Sequence, residues 1–120
     1  FEFGDVVLVS FPFTHLRAIK QRPAVVISRT AYQQHRPDVI LMAITSQIRQ
    51  PLALGEALLK DWQAAGLIKP SVLKPLIATL EQRQIVRGMG QLSAADQETL
   101  QAVIQAILGS AANPTDNGQG

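Results

Sequence analysis

Three short runs of β-branched and aliphatic residues, DVVLVSF at 5–11, PAVVISR at 23–29 and DVILMAIT at 38–45, commit the first part of the chain to a sheet. Loops containing proline, histidine and arginine separate them. The runs are close to continuously apolar, without the strict alternation of a strand that has one face in water. Both faces are therefore covered, or a barrel and a partner surface share them, and a small closed sheet satisfies this.

Beyond these runs, LKDWQAAGL at 59–67 carries helix formers that end at Gly66, a residue able to take the left-handed conformation that stops a short helix. In PSVLKPLIATL at 70–80 the strand pattern resumes, but Pro75 has no N–H for a ladder, so this strand is expected at an edge or broken there. IVRGMGQL at 85–92 reads as a last short strand or a turn. From Ser93 the period changes. Leu100, Val103, Ile104, Ile107 and Leu108 form one apolar stripe of a helix, with Ser93 as N-cap, Asp96 in the first turn and Gly109 closing the far end. The predicted fold class is mainly β with α: a small antiparallel β-barrel, a short helix after the central strands and a C-terminal α-helix. One domain over residues 1–109 and a disordered polar tail over 110–120 are expected.

With 120 residues and 47% apolar content the chain can bury one modest core. It contains no cysteine, which excludes a disulfide framework and thiolate zinc sites and makes the cytoplasm the default location. No apolar run approaches the roughly 18 residues of a membrane-spanning helix, so no membrane role is expected. The net charge is only +2, yet residues 17–37 hold five of the eleven Lys and Arg and no Asp or Glu. Such a patch meets phosphate, an acidic partner segment, or only water.

The two histidines, His15 and His35, have no acid at ligand spacing, and Gly88 and Gly90 form an isolated G-x-G that reads as a turn. Neither a metal nor a nucleotide cofactor is implied. Polar residues at strand ends remain: Arg22 before PAVV, then Thr45 and Ser46 after VILMAI, then Gln47 and Arg49. Pro23 biases Arg22 toward an extended backbone, so its guanidinium is mounted on the sheet. A guanidinium and a threonine hydroxyl can both donate to a phosphate and stabilise charge growing on its oxygens. The alternative is that Arg22 pairs with a surface acid and Thr45 caps a strand.

Taken in order, GDVVLVSFPFT, QRPAVVIS, ILMAITSQIR, GLIKPSV and IATLE resemble the MazF/PemK toxins of type II toxin–antitoxin systems over about residues 4–108. The resemblance implies an SH3-like, CcdB/PemK-type barrel and a homodimer. It also implies a metal-independent endoribonuclease that cuts single-stranded RNA, including mRNA, at short sequences by attack of the 2′-OH. A cognate antitoxin would cover the same groove. Arg22 matches the catalytic arginine of the family's RP motif and Thr45 the catalytic threonine of its TS motif.

Some members carry R-T-I-D where this chain has A-T-L-E, which leaves Ala78 at the arginine position and Glu81 at the catalytic acid position, with Lys74 or Arg83 as the candidate to compensate for the missing cation. His15 lies in a loop where some members use a histidine. Arg17, Lys20, Arg49 and Lys74 are expected to position the RNA backbone, and Ser46 and Gln47 to contact RNA beside Thr45. Phe13 is a candidate to face a base, with Phe11, Tyr32 and Trp62 as the other aromatic candidates. Two other readings stand beside the ribonuclease: a non-enzymatic CcdB-like binder of a protein target, and a weakened RNA-binding homologue.

Overall fold

In the computed structural model, which describes residues 1–11 and 20–109, the three apolar runs are strands: β1 (Asp5–Phe11), β2 (Lys20–Val26) and β3 (Asp38–Thr45). β2 starts three residues before the apolar run, so Arg22 lies within the strand and not ahead of it. A six-residue helix, α1 (Thr30–His35), occupies what the sequence presents as loop. It is too short to show an apolar stripe. It is tied down instead by buried Gln33, which accepts from Ser28 Oγ at 2.7 Å and donates to the Phe1 carbonyl. The remaining elements are β4 (Ala57–Leu58), β5 (Val72–Glu81), β6 (Ile85–Gln91) and α2 (Ala94–Ile107).

The six strands form one antiparallel sheet in the order β4-β5-β3-β2-β1-β6. Its curvature follows from connectivity. β5 and β6 are four strand positions apart, about 19 Å if the sheet were flat. Yet only a 3₁₀ turn, Gln82–Gln84, joins them, a link that reaches at most about 14 Å. The sheet therefore curls into a barrel-like shape, although β4 and β6 do not pair to close it. Inside the curl Val7, Val9, Ala24, Val26, Val39 and Leu41 pack with Ala78, Leu80 and Ile85. The other face carries Val6, Val25, Met42, Ile44 and Leu73, covered by Leu100 and Val103 of α2 and by Leu67. Two cores on opposite faces account for the near-continuous apolar runs. Pro75 lies where β5 is interrupted: Ile44 pairs with Leu73 and Met42 with Ile77, so residues 74–76 bulge out of register.

Residues 59–67 make a single helical turn, not a helix. Leu67 N–H donates to Trp62 O at 3.1 Å and Gly66 N–H to Gln63 O at 3.0 Å, the paired bonds of a Schellman stop, and Gly66 has φ +86° as expected. Gly88 and Gly90, expected in a turn, lie inside β6. A Cβ on Gly90 would stand 2.5 Å from the Ala65 carbonyl oxygen, so glycine lets the turn lie against β6 across the open side of the barrel. Gly66→Ala places a side chain at a left-handed residue and against the Met89 carbonyl. It should lower stability by about 2 kcal/mol, read from urea unfolding midpoints. An unchanged midpoint would mean that this packing is dispensable.

α2 starts as expected, with Ser93 Oγ accepting from Asp96 N–H at 3.2 Å. Leu100 and Val103 are buried, but Leu108 is exposed and already past the helix, and Gly109 has no left-handed backbone. Among the described residues no helix is long and apolar enough to cross a membrane. Phe13, His15, Arg17 and the tail over 110–120 lie outside the described residues, as does the side chain of Phe11.

Candidate functional site

The β2–β3 ladder runs Val26↔Leu41, Val25↔Met42, Ala24↔Ala43 and stops there, next to Pro23, which has no N–H. Continued two residues, this register sets Arg22 against Thr45 on the same face of neighbouring strands. The space at these strand ends is part of a groove of about 590 Å³ whose lining includes Arg22, Pro23, Ala43, Thr45, Ser46 and Gln47. The two residues that head the sequence-based site are thus brought together by strand register. Ser46 and Gln47 join them.

Thr45 has its hydroxyl oriented locally. Gln47 N–H donates to Thr45 Oγ1 at 3.1 Å, occupying an acceptor position and leaving the hydroxyl proton free to donate. Thr45 does cap the strand end, as the plainer alternative had it, without using up its donor. Arg22 does not follow that alternative. Among the described residues no carboxylate lies within salt-bridge distance of its exposed guanidinium.

Lys74 is carried into the groove by the β5 bulge, and two further cations outside the expected set, Lys69 and Arg87, line it as well. Lys69 precedes Pro70 just as Arg22 precedes Pro23, and that local signal was available. Arg87 gave none, because it arrives through the β1–β6 pairing opposite Leu8, whose other neighbour is Pro23. Among the described residues, four cations and no carboxylate line the groove. Ile68 (87% exposed) and Leu76 (46% exposed) add apolar surface to it. A surface of this kind attracts a polyanion and offers apolar contact to whatever that polyanion carries.

A smaller recess of about 130 Å³ shares Thr45, Gln47 and Lys74 with the groove and adds Arg49 and Glu56. Lys20, exposed at the outer end of β2 opposite Phe11, is not among the residues lining either space.

Glu81 is not brought to this site. Thr45 pairs with Val72 at one end of β5, whereas Glu81 pairs with Asp38 at the other, roughly 25 Å away along the strand at about 3.3 Å per residue. Its carboxylate receives Arg83 Nε at 2.7 Å and takes part in the capping box of the 3₁₀ turn. Within one chain both Glu81 and Arg83 are thus engaged away from the groove. Ala78 pairs with Leu41 and packs on the core inside the curl, so Lys74 is the one of the two expected compensating cations that the groove contains. Tyr32 is also elsewhere, on α1 with Arg36 over its ring, and Trp62 packs against the core. Among the described residues no group of three or more His, Cys, Asp or Glu is gathered to hold a metal ion.

The sequence matches the family described as PemK-like, MazF-like toxin of type II toxin-antitoxin system over residues 2–108. No curated protein matches it significantly. Among solved structures, an endoribonuclease in complex with its cognate antitoxin from a mycobacterial species superposes with a TM-score of 0.70 at 17% identity, covering 88% of this chain and 93% of that one. The Mycobacterium tuberculosis toxin MazF-mt6 gives a TM-score of 0.66 at 22% identity over 83% and 91% of the two chains. The MazE-MazF structure from Deinococcus radiodurans gives 0.70 at 18% identity over 92% and 97%. At these identities the likeness establishes the fold.

Proposed function

The chain belongs to the PemK-like, MazF-like toxins of type II toxin–antitoxin systems, and on that premise we propose that it is a metal-independent endoribonuclease acting on single-stranded RNA in the groove at the ends of β2 and β3. This reading rests on Arg22 and Thr45 lining one groove together, just beyond the end of the β2–β3 ladder. Two phosphate donors on adjacent rigid strands are what a phosphorane needs around its oxygens. The mycobacterial structure described as an endoribonuclease with its cognate antitoxin supports the same activity and an antitoxin partner for this chain. A homodimer is proposed from the family pattern.

In this mechanism the RNA backbone enters along Lys69, Lys74 and Arg87, whose charges act on phosphate without reading sequence. Splayed bases meet the apolar surface of Ile68, Leu76 and Met89. Arg22 donates bidentately to the scissile phosphate and the free proton of Thr45 Oγ1 donates beside it. As the 2′-oxygen attacks, negative charge builds on the non-bridging oxygens and both contacts strengthen, which lowers the barrier more than it tightens binding. The products are a 2′,3′-cyclic phosphate and a 5′-OH. RNA is required, since DNA lacks the attacking hydroxyl.

The test is incubation of purified protein with a long single-stranded RNA in EDTA. Discrete fragments are expected, cut at a restricted set of sites. Intact RNA, or cleavage that appears only when a divalent metal is restored, would overturn the proposal.

A further inference from the structure

Arg22 and Thr45 supply donors to the phosphate, but the attacking 2′-OH also needs a group to take its proton. In the groove and its neighbouring recess, the described residues offer one carboxylate, Glu56. We infer that Glu56 is the general base of the reaction, a role that rests on the ribonuclease reading above.

Glu56 immediately precedes β4, which pairs with β5 in the register Ala57↔Leu73 and Leu58↔Val72. Continued one residue, that register sets Glu56 against Lys74, which lines both the recess and the groove. β5 in turn pairs Val72 with Thr45. Two ladders thus bring a carboxylate from a distant loop into the recess that Thr45 also lines.

The carboxylate is also held. Oε1 accepts from Ala53 N–H at 2.9 Å while Glu56 N–H donates to Ala53 O at 3.0 Å, closing a tight turn over residues 53–56. Gly55 makes that turn with φ +88°, and a Cβ there would collide with Ile107 of α2, so the loop is seated on the helix. One oxygen is engaged in this way. The other makes no hydrogen bond or salt bridge among the described residues, with Arg49 and Lys74 sharing the recess but outside ion-pair distance. A carboxylate fixed through one oxygen, with the other left to accept, has the geometry of a positioned base.

The 2′-OH proton passes to the free Glu56 oxygen as the 2′-oxygen bonds to phosphorus. The bond from phosphorus to the 5′-oxygen then breaks with its electron pair going to that oxygen, which takes a proton from water. Protonated Glu56 returns its proton to the hydroxide so formed.

Glu56→Gln separates charge from structure, because the amide oxygen can still accept from Ala53 N–H. Its unfolding midpoint should match wild type and its affinity for RNA should change by only a few-fold. Cleavage at saturating RNA should fall by about 10²–10⁴-fold, and the acid-side limb of the pH–rate profile should vanish. Glu56→Asp, which restores a shorter carboxylate, should recover part of the rate and the limb. If wild type cuts while Glu56→Gln keeps its rate or its acid limb, this assignment alone is overturned. A wild type that cuts no RNA overturns the ribonuclease reading and the base together.

Discussion

Arg22→Ala is expected to slow cleavage at saturating RNA by about 10²–10³-fold, the usual consequence of removing one preorganised donor to a developing oxyanion. Affinity for RNA should fall much less, because Lys69, Lys74 and Arg87 still line the groove. Stability should scarcely change. Arg22 is exposed and forms no salt bridge among the described residues, so its removal leaves no buried partner behind. Arg22→Lys sharpens the result: a lysine keeps the charge but loses the planar fork, so it should bind RNA nearly as well and remain slow. Single-turnover rates beside equilibrium binding measure the two effects separately. If Arg22→Ala loses affinity and rate in equal proportion, the residue only holds RNA. If it loses neither, the reaction takes place elsewhere.

The second large effect concerns stability. Asp96 is 1% exposed, and its two oxygens accept the backbone N–H groups of Lys60 at 2.9 Å and Asp61 at 2.8 Å. It therefore ties the first turn of α2 to the start of the turn that leads to Gly66, and that turn leans on β6. Asp96→Ala leaves two partly buried donors without acceptors and creates a void. At about 1–3 kcal/mol for each orphaned group, the expected loss is about 3 kcal/mol, or a fall in melting temperature of roughly 10–15 °C. Asp96→Asn keeps the volume but offers only one oxygen, so it should lie between wild type and alanine. An asparagine variant as stable as wild type would contradict the two-acceptor account.

Whatever the sequence expressed locally could be read from it. The apolar runs mark β1 to β3, the proline after Arg22 marks a rigid mount, Ser93 marks the start of α2, and Gly66 marks a left-handed stop. What depends on distant pairing could not. Arg87 and Glu56 reach the site only through the β1–β6 and β4–β5 ladders, and no local pattern announces which strands will be neighbours. Glu81 was expected at the site from a segment pattern, yet β5 runs ten residues and carries it to the opposite end of the strand from Thr45's partner Val72. Gly88 and Gly90 looked like a turn because glycine usually marks one. Here at least Gly90 serves close backbone approach inside a strand, a need visible only once the Ala65 carbonyl is in place.

The most direct test of the central claim, that the Arg22–Thr45 groove carries out metal-free transesterification, is the chemistry of the new RNA ends. Long single-stranded RNA is incubated with the wild-type protein in EDTA, and both termini of any fragments formed are identified. A 2′,3′-cyclic phosphate is expected on the upstream fragment and a 5′-OH on the downstream one, with Arg22→Ala and Thr45→Ala each yielding far less product. A 5′-phosphate at the cut, or variants that cut as fast as wild type, would contradict it.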